Sequence, residues 1–220
     1  MLHPPYTAWH LSYVALGAAA APVLHADRLA AALGAFFLGV GICAHALDEL
    51  HGRPLRTRLS EGSLIALAVV SLIGAVAIGV IGVITVSPSL AVFVAAGAFI
   101  VVAYNVELFG GRFHSDLWFA LAWGAFPAIT SYWANALTLR FPGVAVTGAC
   151  FALSLAQRRL STPVRELRRR TLHVRGVQTL TDGRELELDA ERLAAPLDGA
   201  LRALAIGIVL IAAAAVWTRL

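Results

Sequence analysis

Seven apolar runs, separated by short polar breaks, limit this chain to one broad class of fold. They cover residues 8–25, 29–50, 63–85, 88–106, 116–138, 143–158 and 198–218. A helix needs about 20 apolar residues to cross the hydrocarbon core of a bilayer. With 59% hydrophobic and 14% charged residues, the chain lies outside the composition range of soluble globular domains. We expect an all-α, polytopic transmembrane helical bundle of about seven spans.

All basic side chains of this chain are arginines, 17 in total. Because a retinal Schiff base requires lysine, the sequence excludes a seven-helix retinal protein. Most of the arginines follow the second, fourth and sixth apolar runs, and basic loops of membrane proteins stay in the cytoplasm. The pattern predicts an integral protein of a prokaryotic plasma membrane, with its N-terminus in the cytoplasm and its C-terminus outside.

The composition becomes polar after residue 157, which divides the chain into three parts. We expect a six-helix membrane domain over 1–158, an arginine-rich cytoplasmic segment over 159–197, and a C-terminal transmembrane helix over 198–220. Residues 171–177 and 184–189 alternate apolar and polar side chains around Asp182-Gly183, a pattern typical of a β-hairpin. This hairpin, 171–189, is a candidate surface for a protein partner. Nucleic-acid binding is not expected, because the arginine run lacks interleaved aromatic residues.

A dense polar stretch from His45 to Arg53 ends the second apolar run. Ionisable groups inside a membrane are costly and commonly functional. On a helix, His45, Asp48 and Glu49 share one face, and His51 lies beside that face. Two carboxylates suit Mg²⁺, whereas a mixed set of histidine and carboxylate suits iron, manganese or zinc. The alternative is a helix end in which the carboxylates pair with arginine and bind no ligand.

A second polar cluster follows the fourth apolar run, on the same predicted side of the membrane. The two clusters can therefore meet in one cavity at headgroup level. The side chains expected to line a substrate there are His51, Asn105, Glu107 and His114.

Arginines near both clusters are candidates for binding a diphosphate, because the guanidinium group contacts phosphate in a bidentate manner. The predicted diphosphate-binding residues are Arg53, Arg56 and Arg112. Farther along the chain, one or two of Arg158, Arg159 and Arg165 are candidates to close over the same ligand. For all of these arginines, retention on the cytoplasmic side and attraction to anionic lipid are the alternative explanations.

The segment 44–57 resembles the first aspartate-rich motif of the UbiA superfamily of intramembrane aromatic prenyltransferases. That motif reads Asn-Asp-x-x-Asp-x-x-x-Asp-Gly, followed by basic residues and threonine, and Asp48 stands at its central aspartate. Tyr104 and the span that contains Gly124-Ala125-Phe126-Pro127 are similar to the family's tyrosine loop and glycine-rich helix. His45 stands at the first aspartate of the motif. The family's second aspartate-rich motif is absent, since the corresponding segment after the sixth run is rich in arginine.

The resemblance implies a bundle of UbiA type that acts on an isoprenyl diphosphate or a related lipid, by prenyl transfer or cyclisation. It implies catalytic roles for Asp48, Glu49 and Tyr104. It also implies assistance by Mg²⁺, which would be held by His45, Asp48 and Glu49.

Two other classes of function stay open at this point. One is a non-catalytic lipid-binding or complex-assembly subunit with a degenerate UbiA-like fold, in which the hairpin docks a partner. The other is a membrane metalloenzyme, whose ligands would be His45, Glu49, His51, Glu107 and His114.

Overall fold

The computed structural model describes residues 4–51, 53 and 57–220, and the chain is mostly helical. Arg56 and Gly52 of the polar stretch lie outside the described residues. We number the long helices α1 to α7. They are α1 (Pro4–Ala19), α2 (Ala26–Leu50), α3 (Glu61–Thr85), α4 (Leu90–Asn105), α5 (116–136), α6 (Phe141–Arg169) and α7 (Ala190–Trp217).

Three of these helices, α2, α3 and α7, are long and apolar enough to cross a membrane, by length and composition. Helix α4 is apolar and shorter. Large aliphatic side chains cover the outer surface of the bundle, and Val70 and Ile84 of α3 are 69% and 77% exposed. Continuous apolar surface of this kind marks contact with a membrane or a partner rather than with water.

Short polar side chains cap the N-terminal ends of three helices. The Ser60 hydroxyl accepts a hydrogen bond from the backbone N–H of Ser63 at the start of α3. Ser115 caps α5 in the same way through Trp118, and Asp189 caps α7 through Arg192. Each cap satisfies a backbone donor that the first helical turn leaves without a partner.

Two helices contain a stretch of π-helix, in which the backbone is wound more widely. The π segment of α2 is Phe37–Ala44, and that of α5 is Leu121–Ala125, between the α segments Asp116–Ala120 and Phe126–Ala136. Such segments change which carbonyl groups are paired within the helix, and they occur frequently at functional sites. Both lie next to the cavities described below.

The sixth helix extends well beyond the predicted end of its apolar run. The expected boundary at residue 158 falls inside α6, which continues without interruption to Arg169. Arginine, leucine and glutamate favour helix, and Val164 of the extension is buried, so helix propensity and packing both continue the helix. Helix α7 likewise begins at Ala190 rather than at residue 198. An ion pair between Arg168 and Asp198 joins the extension of α6 to α7.

The predicted hairpin is confirmed as a small antiparallel sheet between α6 and α7. Its strands are β1 (Gly176–Thr179) and β2 (Glu185–Leu188), with Gly176 opposite Leu188 and Thr179 opposite Glu185. The first strand begins later than the alternating run that predicted it. Gly183 has φ +85°, a left-handed conformation that glycine adopts without strain.

The loops at one end of the bundle are joined by hydrogen bonds. Arg28 donates to the carbonyl oxygen of Ala134 at 3.0 Å, and Trp133 donates to the Ser89 hydroxyl at 2.9 Å. Arg219, after α7, donates to the carbonyl oxygen of Ala21 at 2.6 Å, after α1. The polar cavity occupies the opposite end, where α1 begins and α2 and α4 end.

Candidate functional site

A polar cavity of about 430 Å³ opens at the end of the bundle where both predicted polar clusters lie. Side chains of α1, α2, α4, α5 and α6 meet around it. Its polar lining consists of Tyr6, His45, Asp48, His51, Tyr104, Asn105, Glu107, His114, Arg158, Thr162, Arg165, Glu166, Arg169 and Arg170. The structure therefore brings together all four side chains that were predicted to line a substrate.

His45 is held in the cavity wall by the π segment of α2. Its Nδ1 lies 2.9 Å from the carbonyl oxygen of Val40, and the side chain is 8% exposed. Asp48, one turn later, is half-buried and also lines the cavity. The two residues share a face, as their spacing predicted.

Glu49 is directed elsewhere. The side chain is completely buried, and its Oε1 accepts hydrogen bonds from the backbone N–H of Thr57 at 2.7 Å and from the Thr57 hydroxyl at 2.9 Å. It does not line the polar cavity. Since a buried carboxylate needs such donors, Glu49 ties Thr57 to the end of α2.

The three predicted magnesium ligands therefore do not form one donor set. His45 uses Nδ1 on a backbone carbonyl, and Glu49 faces Thr57, which leaves only His45 and Asp48 on the cavity side. Within the described residues, no group of three or more histidine, cysteine, aspartate or glutamate side chains is placed to hold a metal ion. Binding of Mg²⁺ stays a prediction from the resemblance.

The second polar cluster forms the opposite wall of the cavity. The Tyr104 ring stacks on His114, with 4.6 Å between ring centroids, and packs edge-on against Trp123. Asn105 donates to the carbonyl oxygen of Val101 at 2.7 Å. Glu107 lies 3.8 Å from His114 and has φ +52°, a conformation that is strained for a residue other than glycine. Strained residues of this kind cluster at ligand sites.

Two of the predicted diphosphate-binding arginines, Arg53 and Arg112, lie outside this cavity. Arg53 donates to the carbonyl oxygens of Thr57 and Leu59 at 3.2 and 3.0 Å and does not line the cavity. Arg112 is exposed and also lies outside the lining. Arg56 falls outside the described residues.

The arginines that line the cavity belong to α6 instead. Arg158 and Arg165, which the sequence singled out, line the cavity, as do Arg169 and Arg170. The sequence contains a signal for this face, since residues 158, 162, 165 and 169 recur at helical spacing. This spacing places the residues on one face only because α6 continues past residue 158.

Two of these arginines differ in their partners. Arg158 donates to the Asp116 carboxylate at 2.7 Å and lies over the ring of Phe119. Arg165 donates only to the Thr162 hydroxyl at 3.3 Å, and among the described residues no carboxylate lies within 4 Å of it. Arg165 is thus a cation in the cavity wall without an ion-pair partner there, and it can bind an anionic ligand.

A second cavity, of about 470 Å³, is lined mostly by apolar side chains and extends to Asp27 and Arg28 at the other end of the bundle. It is bounded by α2, α3, α4 and α5. Along α2 its lining runs from Asp27 to Val40, about 20 Å of helix. Val40 and Trp123 line both cavities.

Comparison of this chain with protein-family models, with curated proteins and with solved structures finds no match.

Proposed function

We propose that this chain is an integral membrane protein of UbiA type that acts on an isoprenyl diphosphate or a related lipid. Its seven long helices would cross the membrane, with the polar cavity on the cytoplasmic side. The diphosphate would occupy the polar cavity, and the hydrocarbon chain would occupy the apolar one. The observation that carries the proposal is that Val40 and Trp123 line both cavities.

An amphiphile with a charged head fits this pair of cavities. Arg165, Arg169 and Arg170 offer guanidinium groups to phosphate oxygens at one end. Apolar side chains line the other cavity, and each buried methylene of a ligand chain contributes about 0.8 kcal/mol. A short polar metabolite would use only the first cavity, and a hydrocarbon only the second.

The reaction that suits this arrangement is the ionisation of an allylic diphosphate. The bond between C1 and the diphosphate oxygen breaks, and the diphosphate leaves with the electron pair. The arginines of α6 stabilise the leaving group, while the apolar cavity shields the rest of the hydrocarbon chain from water. Capture by an acceptor, followed by loss of the acceptor's proton, gives prenyl transfer. Capture by a double bond of the same chain, followed by loss of a proton from the new cation, gives cyclisation.

One observation favours the non-catalytic alternative. Glu49, which the resemblance places in a catalytic role, is buried and bonded to Thr57 outside the cavity. A lipid-binding subunit would keep both cavities and perform no reaction. Binding without turnover of an allylic diphosphate by the purified protein would select this alternative.

The test of the proposal compares two arginines on the same helix. Arg165 lines the polar cavity, whereas Arg159 is exposed outside it. Binding of geranylgeranyl diphosphate to protein in lipid nanodiscs would be measured for wild type, R165Q and R159Q. A charge-assisted hydrogen bond is worth about 1.5–3 kcal/mol, so R165Q should bind at least about tenfold more weakly. R159Q should bind like wild type.

Two outcomes would contradict the proposal. In the first, both variants lose affinity equally, which would assign the effect to general surface charge. In the second, geranylgeraniol binds as tightly as its diphosphate, which would remove the role of the polar cavity.

A further inference from the structure

Each π segment directs one carbonyl oxygen to a histidine ring. The carbonyl of Val40 meets Nδ1 of His45 at 2.9 Å, and the carbonyl of Trp123 meets Nδ1 of His10 at 2.7 Å. A carbonyl oxygen can only accept a hydrogen bond, so Nδ1 of each ring must carry the proton. In the neutral ring, Nε2 is then the acceptor.

The two histidines differ in what their Nε2 atoms meet. Nε2 of His10 is completely buried, has no partner among the described residues, and belongs to a side chain outside both cavities. His45 lines the polar cavity, and its Nε2 has no hydrogen bond within the described part of the chain. His45 therefore presents a proton-accepting nitrogen to whatever occupies that cavity.

We propose that His45 is the proton acceptor for the nucleophile in this cavity, a step that rests on the proposed function. A hydroxyl group of the acceptor, or water, attacks C1 of the isoprenyl chain. The new C1–O bond forms, the bond from C1 to the diphosphate oxygen breaks, and the diphosphate leaves with that electron pair. The hydroxyl proton moves to Nε2 of His45, which becomes imidazolium.

The placement of His45 suits this role better than that of the other histidines in the cavity. His51 is exposed at the end of α2 and contacts the carbonyl oxygen of Leu47 at 3.3 Å. His114 shares its Nδ1 between the carbonyl oxygen of Tyr104 and the Glu107 carboxylate. His45 is more than nine-tenths buried and is held by a backbone carbonyl in one tautomer. It therefore needs no reorganisation before it accepts a proton.

The kinetic test uses His45→Asn. The asparagine amide nitrogen can still donate to the carbonyl oxygen of Val40, whereas asparagine has no atom in the place of Nε2. A general base contributes about 10²–10⁴-fold to the rate, so kcat for geranylgeranyl diphosphate should fall by at least about 100-fold. Binding of a non-ionising thiolo analogue of that diphosphate should stay within a few-fold of wild type. His173→Asn, an exposed histidine before the hairpin, is the matched control and should change neither value.

A second measurement uses the wild-type protein and does not depend on a folded variant. Nitrogen-15 NMR of histidine-labelled protein should show His45 protonated on Nδ1, and the thiolo analogue should shift Nε2 of His45 but not that of His10. His45 protonated on Nε2 would overturn the inference, as would an unchanged kcat in H45N. If wild type fails to bind the analogue, the proposed function itself fails, and the step falls with it. Binding together with an unchanged kcat in H45N removes the histidine step alone.

Discussion

The Nδ1 atom of His10 donates a hydrogen bond to the carbonyl oxygen of Trp123 over 2.7 Å, across 113 residues of chain. This bond ties the first helix to the π segment of α5, where the wider winding changes the pairing of backbone carbonyls. His10 is 1% exposed, and its ring packs against Tyr6 and Phe119. The bond fixes one side of the region where the two cavities meet.

Replacing His10 by phenylalanine should therefore destabilise the fold. The carbonyl of Trp123 would lose its partner in a buried site, at a cost of about 1–3 kcal/mol. The measurement is the free energy of unfolding in mixed micelles. His173→Phe, at an exposed site, should change it by less than about 0.5 kcal/mol. Equal effects of the two substitutions would show that the bond contributes nothing specific.

Helices α1 and α5 approach each other closely at Gly17, where a Cβ atom would lie 2.1 Å from the carbonyl oxygen of Ala128. Gly17→Ala must force α1 and α5 apart, and we expect a loss of about 1–3 kcal/mol or more. Gly148 of α6 is the matched control, because a Cβ atom there meets nothing within 4 Å. Gly148→Ala should stabilise the helix by up to about 1 kcal/mol. Effects of the same sign in thermal unfolding would contradict this packing.

The ion pair between Asp116 and Arg158 should compete with an anionic ligand. Asp116→Asn frees the Arg158 guanidinium and removes a negative charge near the cavity. Because the Asp116 side chain is 57% exposed, the effect should be small, about two- to fivefold tighter binding of geranylgeranyl diphosphate. Asp182→Asn breaks a similar pair, with Arg184 in the hairpin, and should leave binding unchanged. Weaker binding by D116N would argue against this role of Arg158.

A bulky side chain in the apolar cavity should exclude the hydrocarbon chain. Ala98 of α4 lines this cavity, whereas Ala95 on the same helix is exposed outside it. Phenylalanine at position 98 would displace several methylenes at about 0.8 kcal/mol each, so Ala98→Phe should weaken binding about tenfold or more. Ala95→Phe should bind like wild type. Equal affinity of the two variants would place the chain of the ligand outside this cavity.

The stability of the hairpin turn should fall at acidic pH. The backbone N–H of Arg184 and then its guanidinium lower the pKa of Asp182 below the ordinary value for aspartate. A lowered folded-state pKa means that the contribution is complete above the unfolded pKa and is lost as the pH falls through the folded one. An NMR titration should place the Asp182 midpoint below that of a short unfolded peptide. Arg184→Gln should move the midpoint part of the way up, and no movement would contradict the pairing.

Much of the secondary structure could be predicted from local pattern alone. Apolar runs predicted the long helices, and the alternation around Asp182-Gly183 predicted the hairpin, because both signals depend on residues close in sequence. The extension of α6 was missed because the prediction followed hydropathy. The arginine-rich part of α6 is polar. The contacts that stabilise it, the burial of Val164 and the Arg168–Asp198 ion pair, form only in the folded chain.

The sequence by itself determined which side chains are available at this end of the bundle, since each polar cluster is a continuous stretch of chain at the end of α2 or α4. Only the tertiary structure decided which of them share a cavity. Glu49 turns to Thr57, Arg53 turns to its own loop, and the arginines of α6 enter instead. The direction of a side chain depends on how each helix is wound and which distant elements pack against it. The carbonyl oxygens of Val40 and Trp123, one in each π segment, orient His45 and His10 in this way.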